Sequence, residues 1–185
     1  MMKSVLIAIR PQWVEKIASG QKTIEVRKTA PKEVPFKCYI YETKGQYVKF
    51  THGAHTKYGY GRGKVIGEFI CDKVYSIKNR GSSFSVADEE QSVTNEIARQ
   101  SCLYYDDMVS YFGNKDGFGW HISDLKIYDK PRELSEFSRP CSYSGLCFSC
   151  KRTSFKKDGN LLCNTKITRP PQSWMYVEEL QGKEK

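Results

Sequence analysis

The spacing of apolar positions changes several times along this chain, and each change predicts an element. Residues 4–9 are a short apolar run rich in branched side chains, which predicts a buried strand. From Pro11 the period lengthens. Trp13 and Ile17 are four apart, as are Val14 and Ala18, so one helical face is apolar over about two turns. Pro11 suits a first helical position, and Gly20 can close the helix in a left-handed conformation. Residues 23–27 then alternate, with Ile24 and Val26 on one side of a strand and Thr23, Glu25 and Arg27 on the other. Lys22 stands at the junction. Two cations and a carboxylate are thereby gathered at one element boundary, which makes a small polar site.

The remaining pattern is read the same way. Residues 28–35 hold two prolines and form a loop, and residues 36–41 alternate as a strand. Residues 43–63 are polar and rich in Gly and Tyr, which predicts a long surface loop or a hairpin. The strongest strand signal covers 64–74, with 75–77 as its extension, followed by a polar link over 79–86. A helix is expected over 88–98, capped by Ser92 or Thr94, and a second over 104–112 with Tyr105, Met108 and Phe112 on one side. Residues 119–128 read as one long strand with a bulge or kink. Residues 130–137 end that strand in a helical turn, 173–178 supply a last strand, and 181–185 form a frayed tail. No internal repeat is present. The sum is α+β, five to seven short strands with two or three short helices, and such strands close most economically as a small barrel.

Charge adds a partner class. Thirty Lys and Arg against 21 Asp and Glu give a formal charge of +9. That excess suits a polyanion, nucleic acid first, although solubility alone would also account for it. Twelve tyrosines provide stacking surface as well as core. No apolar run approaches the ~20 residues needed to span a bilayer, and the first ten residues read as a strand rather than a secretory segment. A cytoplasmic protein without a membrane partner is expected.

The stretch Gly20-Gln-Lys22-Thr-Ile-Glu25-Val-Arg27 resembles the G-x-K-x-x-E-x-R signature of the ASCH domain, a branch of the PUA-like superfamily. The Pro-x-Trp helix, Gly67-Glu-Phe-Ile, the Trp120-His-Ile-Ser-Asp-Leu strand and Arg169-Pro-Pro-Gln-Ser-Trp174 fit the same family. The resemblance spans 3–129 and resumes near 167. It implies a domain made of 1–137 plus 167–180, a small PUA-like β-barrel with flanking helices. It also implies a cleft, lined by the signature residues, that binds RNA or a modified nucleobase. In that role Lys22 and Arg27 meet phosphate or a base carbonyl, Arg27 through a planar two-bond contact. Glu25 accepts from an exocyclic amine or holds Arg27, and Arg10 adds charge to the mouth. Without the resemblance, Glu25 and Arg27 read as a surface ion pair worth ~0–1 kcal/mol and Lys22 as a helix-terminal lysine.

Some relatives are similar in motif but hydrolyse the amide of 4-acetylcytidine. They use a lysine at the position of Lys22, a threonine three residues later and a distant glutamate. Here Glu25 replaces that threonine, so the candidate catalytic pair would be Lys22 and Glu25, with Glu96 a loose candidate for the distant carboxylate. A lysine serves as nucleophile or base only if burial or a neighbouring cation lowers its pKa, and Glu25 works against that. His121 reads as a hydrogen-bonded core residue. His52 and His55 receive no role.

Residues 138–166 interrupt the family pattern and carry four of the seven cysteines: Cys141, Cys147, Cys150 and Cys163. Their order, C-x5-C-x2-C-x12-C, contains a C-x2-C knuckle and predicts a structural zinc site, each thiolate at ~2.3 Å. The insert has too few large aliphatic residues for a core of its own, so a metal would have to order it. A disulfide or redox pair and a set of free thiols are the competing readings. With zinc bound, Lys151, Arg152, Lys156 and Lys157 would form a basic finger for phosphate contact, or for docking another protein if the cleft has no ligand. Cys38, Cys71 and Cys102 read as small buried hydrophobes.

Overall fold

A computed structural model describes residues 2–52, 55–141, 153–155, 161–163 and 165–180. The chain runs β1 (Lys3–Ile9), α1 (Pro11–Ala18), β2 (Ile24–Arg27), β3 (Phe36–Glu42), β4 (Gly45–His52), β5 (His55–Gly61), β6 (Val65–Cys71), β7 (Val74–Asn79) and β8 (Phe84–Val86). It continues with α2 (Gln91–Ser101), α3 (Tyr105–Phe112), β9 (Gly117–His121), β10 (Ser123–Arg132), a 3-10 turn (Leu134–Glu136), β11 (Thr153–Phe155), β12 (Leu161–Cys163) and β13 (Trp174–Val177). This is the α+β arrangement expected from the pattern.

The barrel is built from two sheets rather than one. The first has the order β10-β6-β3-β1-β13 and the second β2-β9-β7-β8. β1 and β3 are parallel, and the other pairings are antiparallel. From Val5 to Ile9 β1 is apolar because both of its faces are covered. Val5, Ile7 and Ile9 join α1, Phe36, Phe69 and Trp120 in one core, while Leu6 and Ala8 meet Tyr39, Phe137 and Ile167 on the reverse face. Ile24 and Val26 belong to a third core beneath α2 and α3, with Ile77, Met108 and Phe112.

Two expected strands are each divided between the sheets. The run 64–77 breaks at Asp72-Lys73, so β6 lies in the first sheet and β7 in the second. The run 119–128 breaks at Ile122, with β9 in the second sheet and β10 in the first, and Asp124 follows at φ +48°. The expected bulge is this corner. The two breaks meet, because the His121 amide donates to the Lys73 carbonyl at 2.9 Å and the His121 ring lies 2.6 Å from the Asp72 carboxylate. His121 is therefore a half-exposed corner residue, not a core one. No local pattern separates a strand that changes sheets from one that stays straight.

Three smaller readings also change. The polar link contains β8, whose Phe84 packs on Tyr105 and Phe112. Neither Ser92 nor Thr94 caps α2; the Thr94 hydroxyl accepts from the Val86 amide at 3.0 Å, which ties α2 to β8. Cys38 and Cys71 are buried, but Cys102 is half-exposed and ends α2 at φ +54°.

The polar stretch after β3 forms the β4–β5 hairpin, a two-stranded ribbon outside both sheets. Further along, the two ends of the Cys-rich segment pair: Arg139 donates to Thr165, Ile167 donates to Phe137, and Ser138 bridges Lys166. Within the segment β11 and β12 form a short antiparallel pair. Cys147 and Cys150 lie outside the described residues, as do Lys151, Arg152, Lys156 and Lys157. So does the tail over 181–185. Among the described residues no group of three or more His, Cys, Asp or Glu assembles.

Candidate functional site

The site begins with the end of α1. Gly20 adopts φ +75°, and the chain folds back so that the Lys22 amide donates to the Lys16 carbonyl at 3.0 Å. This reversal carries Lys22 under the helix instead of leaving it at an exposed helix end. Its side chain is 2% exposed and its ammonium donates to the Ser101 carbonyl at 2.6 Å. Ser101 is the last residue of α2, where the negative end of the helix favours a cation. The ring of Trp13 lies 5.5 Å from the same ammonium.

β2 then places Glu25 and Arg27 on the face opposite Ile24 and Val26, as the alternation predicts. That face is covered, however. Glu25 is 5% exposed and Arg27 7%, so the surface-pair reading is incorrect. One Glu25 carboxylate oxygen lies 2.9 Å from Arg27 Nη2 and the other 3.5 Å from Lys22 Nζ. Arg27 Nη2 also donates to the Ala8 carbonyl at 2.7 Å, while Arg27 Nε is buried without a partner among the described residues. Two cations and one anion thus share a largely dry cluster carrying a net positive charge. Burial pushes the Lys22 pKa below its usual range, and the attraction of Glu25 offsets this only in part.

The cluster forms one wall of a cavity of about 490 Å³, within the ~300–1,000 Å³ typical of small-molecule sites. All four residues proposed for ligand contact, Arg10, Lys22, Glu25 and Arg27, line it. Arg10 is exposed at the start of α1 and stands on the rim. Sequence reasoning missed the opposite wall. Leu103, Asp107, Ser110 and Tyr111 come from α3 and its approach, and Thr43, Pro171 and Gln172 line the cavity as well. The helical period gave the buried Met108 and Phe112 of α3, although Tyr105 is exposed, and could not show that another face fronts a cavity. Pro171 and Gln172 carried a sequence signal, as part of the Arg169–Trp174 resemblance. Glu96 is not in the site; it is held by Arg99 and Gln100 on α2.

No family model matches the chain, and no curated protein does. Solved structures do. The crystal structure of ASCH from Zymomonas mobilis is 16% identical, covers 96% of this chain and 89% of its own, and superposes with a TM-score of 0.54. Two point variants of that same protein align at TM-score 0.53, with 15% and 16% identity. The likeness, over nearly the whole chain, shows an ASCH-type fold, the fold expected from the signature.

Proposed function

We propose that this protein binds RNA by receiving one exposed nucleotide in the Lys22–Glu25–Arg27 cleft. The observation that carries this reading is the buried cluster with excess positive charge at the wall of a nucleoside-sized cavity. A lone ion pair needs no second cation; an anionic or carbonyl-rich ligand does. The net charge of +9 would steer a polyanion towards it, and Arg10 would meet phosphate at the rim. No helix among the described residues is long and apolar enough to cross a membrane.

The test is fluorescence anisotropy with a labelled ten-nucleotide RNA over a range of salt. Binding should weaken linearly in log–log form, with a slope of about 0.7 per neutralised phosphate. Arg10→Ala should weaken binding several-fold and lower the slope by about one such step. Absence of binding at micromolar protein and low salt would overturn the proposal.

One observation favours a second reading, amide hydrolysis of an acylated nucleoside such as 4-acetylcytidine. Burial moves Lys22 towards the neutral form that a nucleophile or base requires, despite Glu25. Under this reading Lys22 and Glu25 are the catalytic pair. Mass spectrometry of the nucleoside and of acetylated RNA would show cytidine formed by the native protein and not by Lys22→Ala.

We also propose that Cys141, Cys147, Cys150 and Cys163 hold one structural zinc ion. The support is their spacing and the β11–β12 pair, in which Cys163 lies opposite Thr153, three residues after Cys150. Protein purified without chelator should contain about one equivalent of zinc; less than about half would overturn this.

A further inference from the structure

The β4–β5 ribbon packs on α1, begins two residues after the cleft-lining Thr43, and has two unlike faces. In strand alternation Tyr47 and Lys49 point one way and Gln46 and Val48 the other, and on β5 Gly59 and Gly61 alternate with Tyr58, Tyr60 and then Arg62. The register pairs Tyr47 with Gly59, Gln46 with Tyr60 and Val48 with Tyr58.

The inner face is clamped onto α1. Lys49 lies 3.1 Å from the Glu15 carboxylate, and the Tyr47 hydroxyl meets the same group. The glycines are where they are because nothing larger fits there. A Cβ on Gly59 would fall 2.4 Å from the Tyr47 ring, and one on Gly61 would fall 1.8 Å from the Thr43 carbonyl oxygen and 2.5 Å from Pro11.

The outer face is left without cover. Tyr60 is 70% exposed, Tyr58 53% and Val48 57%. Two tyrosines are thus held outward on a ribbon whose inner face is fixed, next to Thr43, which lines the cleft. Residues 43–67 contain five Lys and Arg and no Asp or Glu of their own. Carboxylates from outside this stretch meet some of them: Lys49 pairs with Glu15, Lys64 with Glu133, and Arg62 stands 4.0 Å from Glu42 near Thr43.

We propose that the outer face of this ribbon is a stacking platform for single-stranded RNA, taking the bases next to the nucleotide in the cleft. The proposal rests on the cleft reading given above. Tyr58 and Tyr60 are two apart on a strand, ~6.8 Å, so each offers its ring to a different splayed base. Stacking on a tyrosine is indifferent to base identity, so the ribbon supplies affinity and direction while the cleft selects the nucleotide. Arg62, at the end nearer the cleft, is placed to meet the phosphate between the two.

The test compares a labelled ten-nucleotide RNA with a labelled one-nucleotide RNA (the nucleoside monophosphate of the same base), which fills the cleft and has no neighbouring base to stack, using native protein and the Tyr58→Ala, Tyr60→Ala, Tyr58→Phe and Tyr60→Phe variants. Each alanine variant should weaken the ten-nucleotide RNA about tenfold and leave the mononucleotide and the salt slope unchanged. Phenylalanine at either position should keep native affinity, because the ring and not the hydroxyl carries the contact. Native protein that binds both RNAs but loses nothing on alanine substitution would overturn the platform and leave the cleft reading intact. Equal losses for both lengths, or losses not rescued by phenylalanine, would do the same. Native protein that binds neither RNA would overturn both.

Discussion

Replacing Glu25 by alanine is expected to cost about 3–5 kcal/mol of folding stability, because it leaves two buried cations facing each other without their shared anion. For a chain of this length that is a fall in Tm of roughly 6–20 °C. Glu25→Gln should cost nearly as much, since an amide fills the space but carries no charge. The double variant Glu25→Ala with Lys22→Met should recover part of the loss, because it removes one of the stranded cations. Denaturant titration of the native protein, Glu25→Ala, Lys22→Met and the double variant gives the coupling directly. If Glu25→Ala unfolds within about 1 kcal/mol of the native protein, the cluster is wetter than its 2–7% exposures indicate.

The second large effect runs the other way. Lys22→Met should be as stable as the native protein at neutral pH, or more stable by up to about 4 kcal/mol, while losing at least tenfold in RNA affinity. Removing Lys22 leaves a neutral Glu25–Arg27 pair and relieves the cost of burying the extra charge. The pH dependence follows from the lowered pKa of Lys22. The folded protein releases this proton at a lower pH than the unfolded chain does. Below that point both states are charged, and the folded state bears the whole penalty. Between the folded pKa and the unfolded value near 10.5 the unfolded chain binds more protons, so native stability rises with pH. The advantage of Lys22→Met should therefore shrink as pH climbs towards 10.5. An advantage that is constant or grows with pH would show that burial does not hold the lysine back from its charged form. A variant that keeps RNA affinity would remove Lys22 from the site.

These opposite signs say something about what the site is for. A fold selected only for stability would not keep Lys22 in a dry cluster that Glu25 and Arg27 already balance. Retaining it makes sense where a ligand supplies the missing negative charge or polar acceptor. Arg27 Nε in the same cluster, buried without a partner among the described residues, fits this account.

Much of this architecture was present in local pattern alone. Pro11, the four-residue spacing of Trp13 and Ile17, and Gly20 specify α1 and its reversal, since each acts through backbone geometry or one helical face. The alternation over 23–27 assigns Glu25 and Arg27 to the same side, and that assignment holds. The signature joins Lys22 to them. What lies opposite those side chains is not a local property. The alternation is the same whether that side meets water or, as here, β1 and the end of α2, and only the latter turns a weak surface pair into a buried cluster. The exposed face of α3 is polar for solubility and polar as a cavity wall, so Asp107 and Ser110 carry no mark that separates the two. The corners at Asp72-Lys73 and Ile122 arise because two sheets must share chain, a constraint between strands far apart in sequence. Local sequence thus determined the elements, the side-chain directions and the charge. Tertiary packing decided which of those directions are dry, and so which charges count.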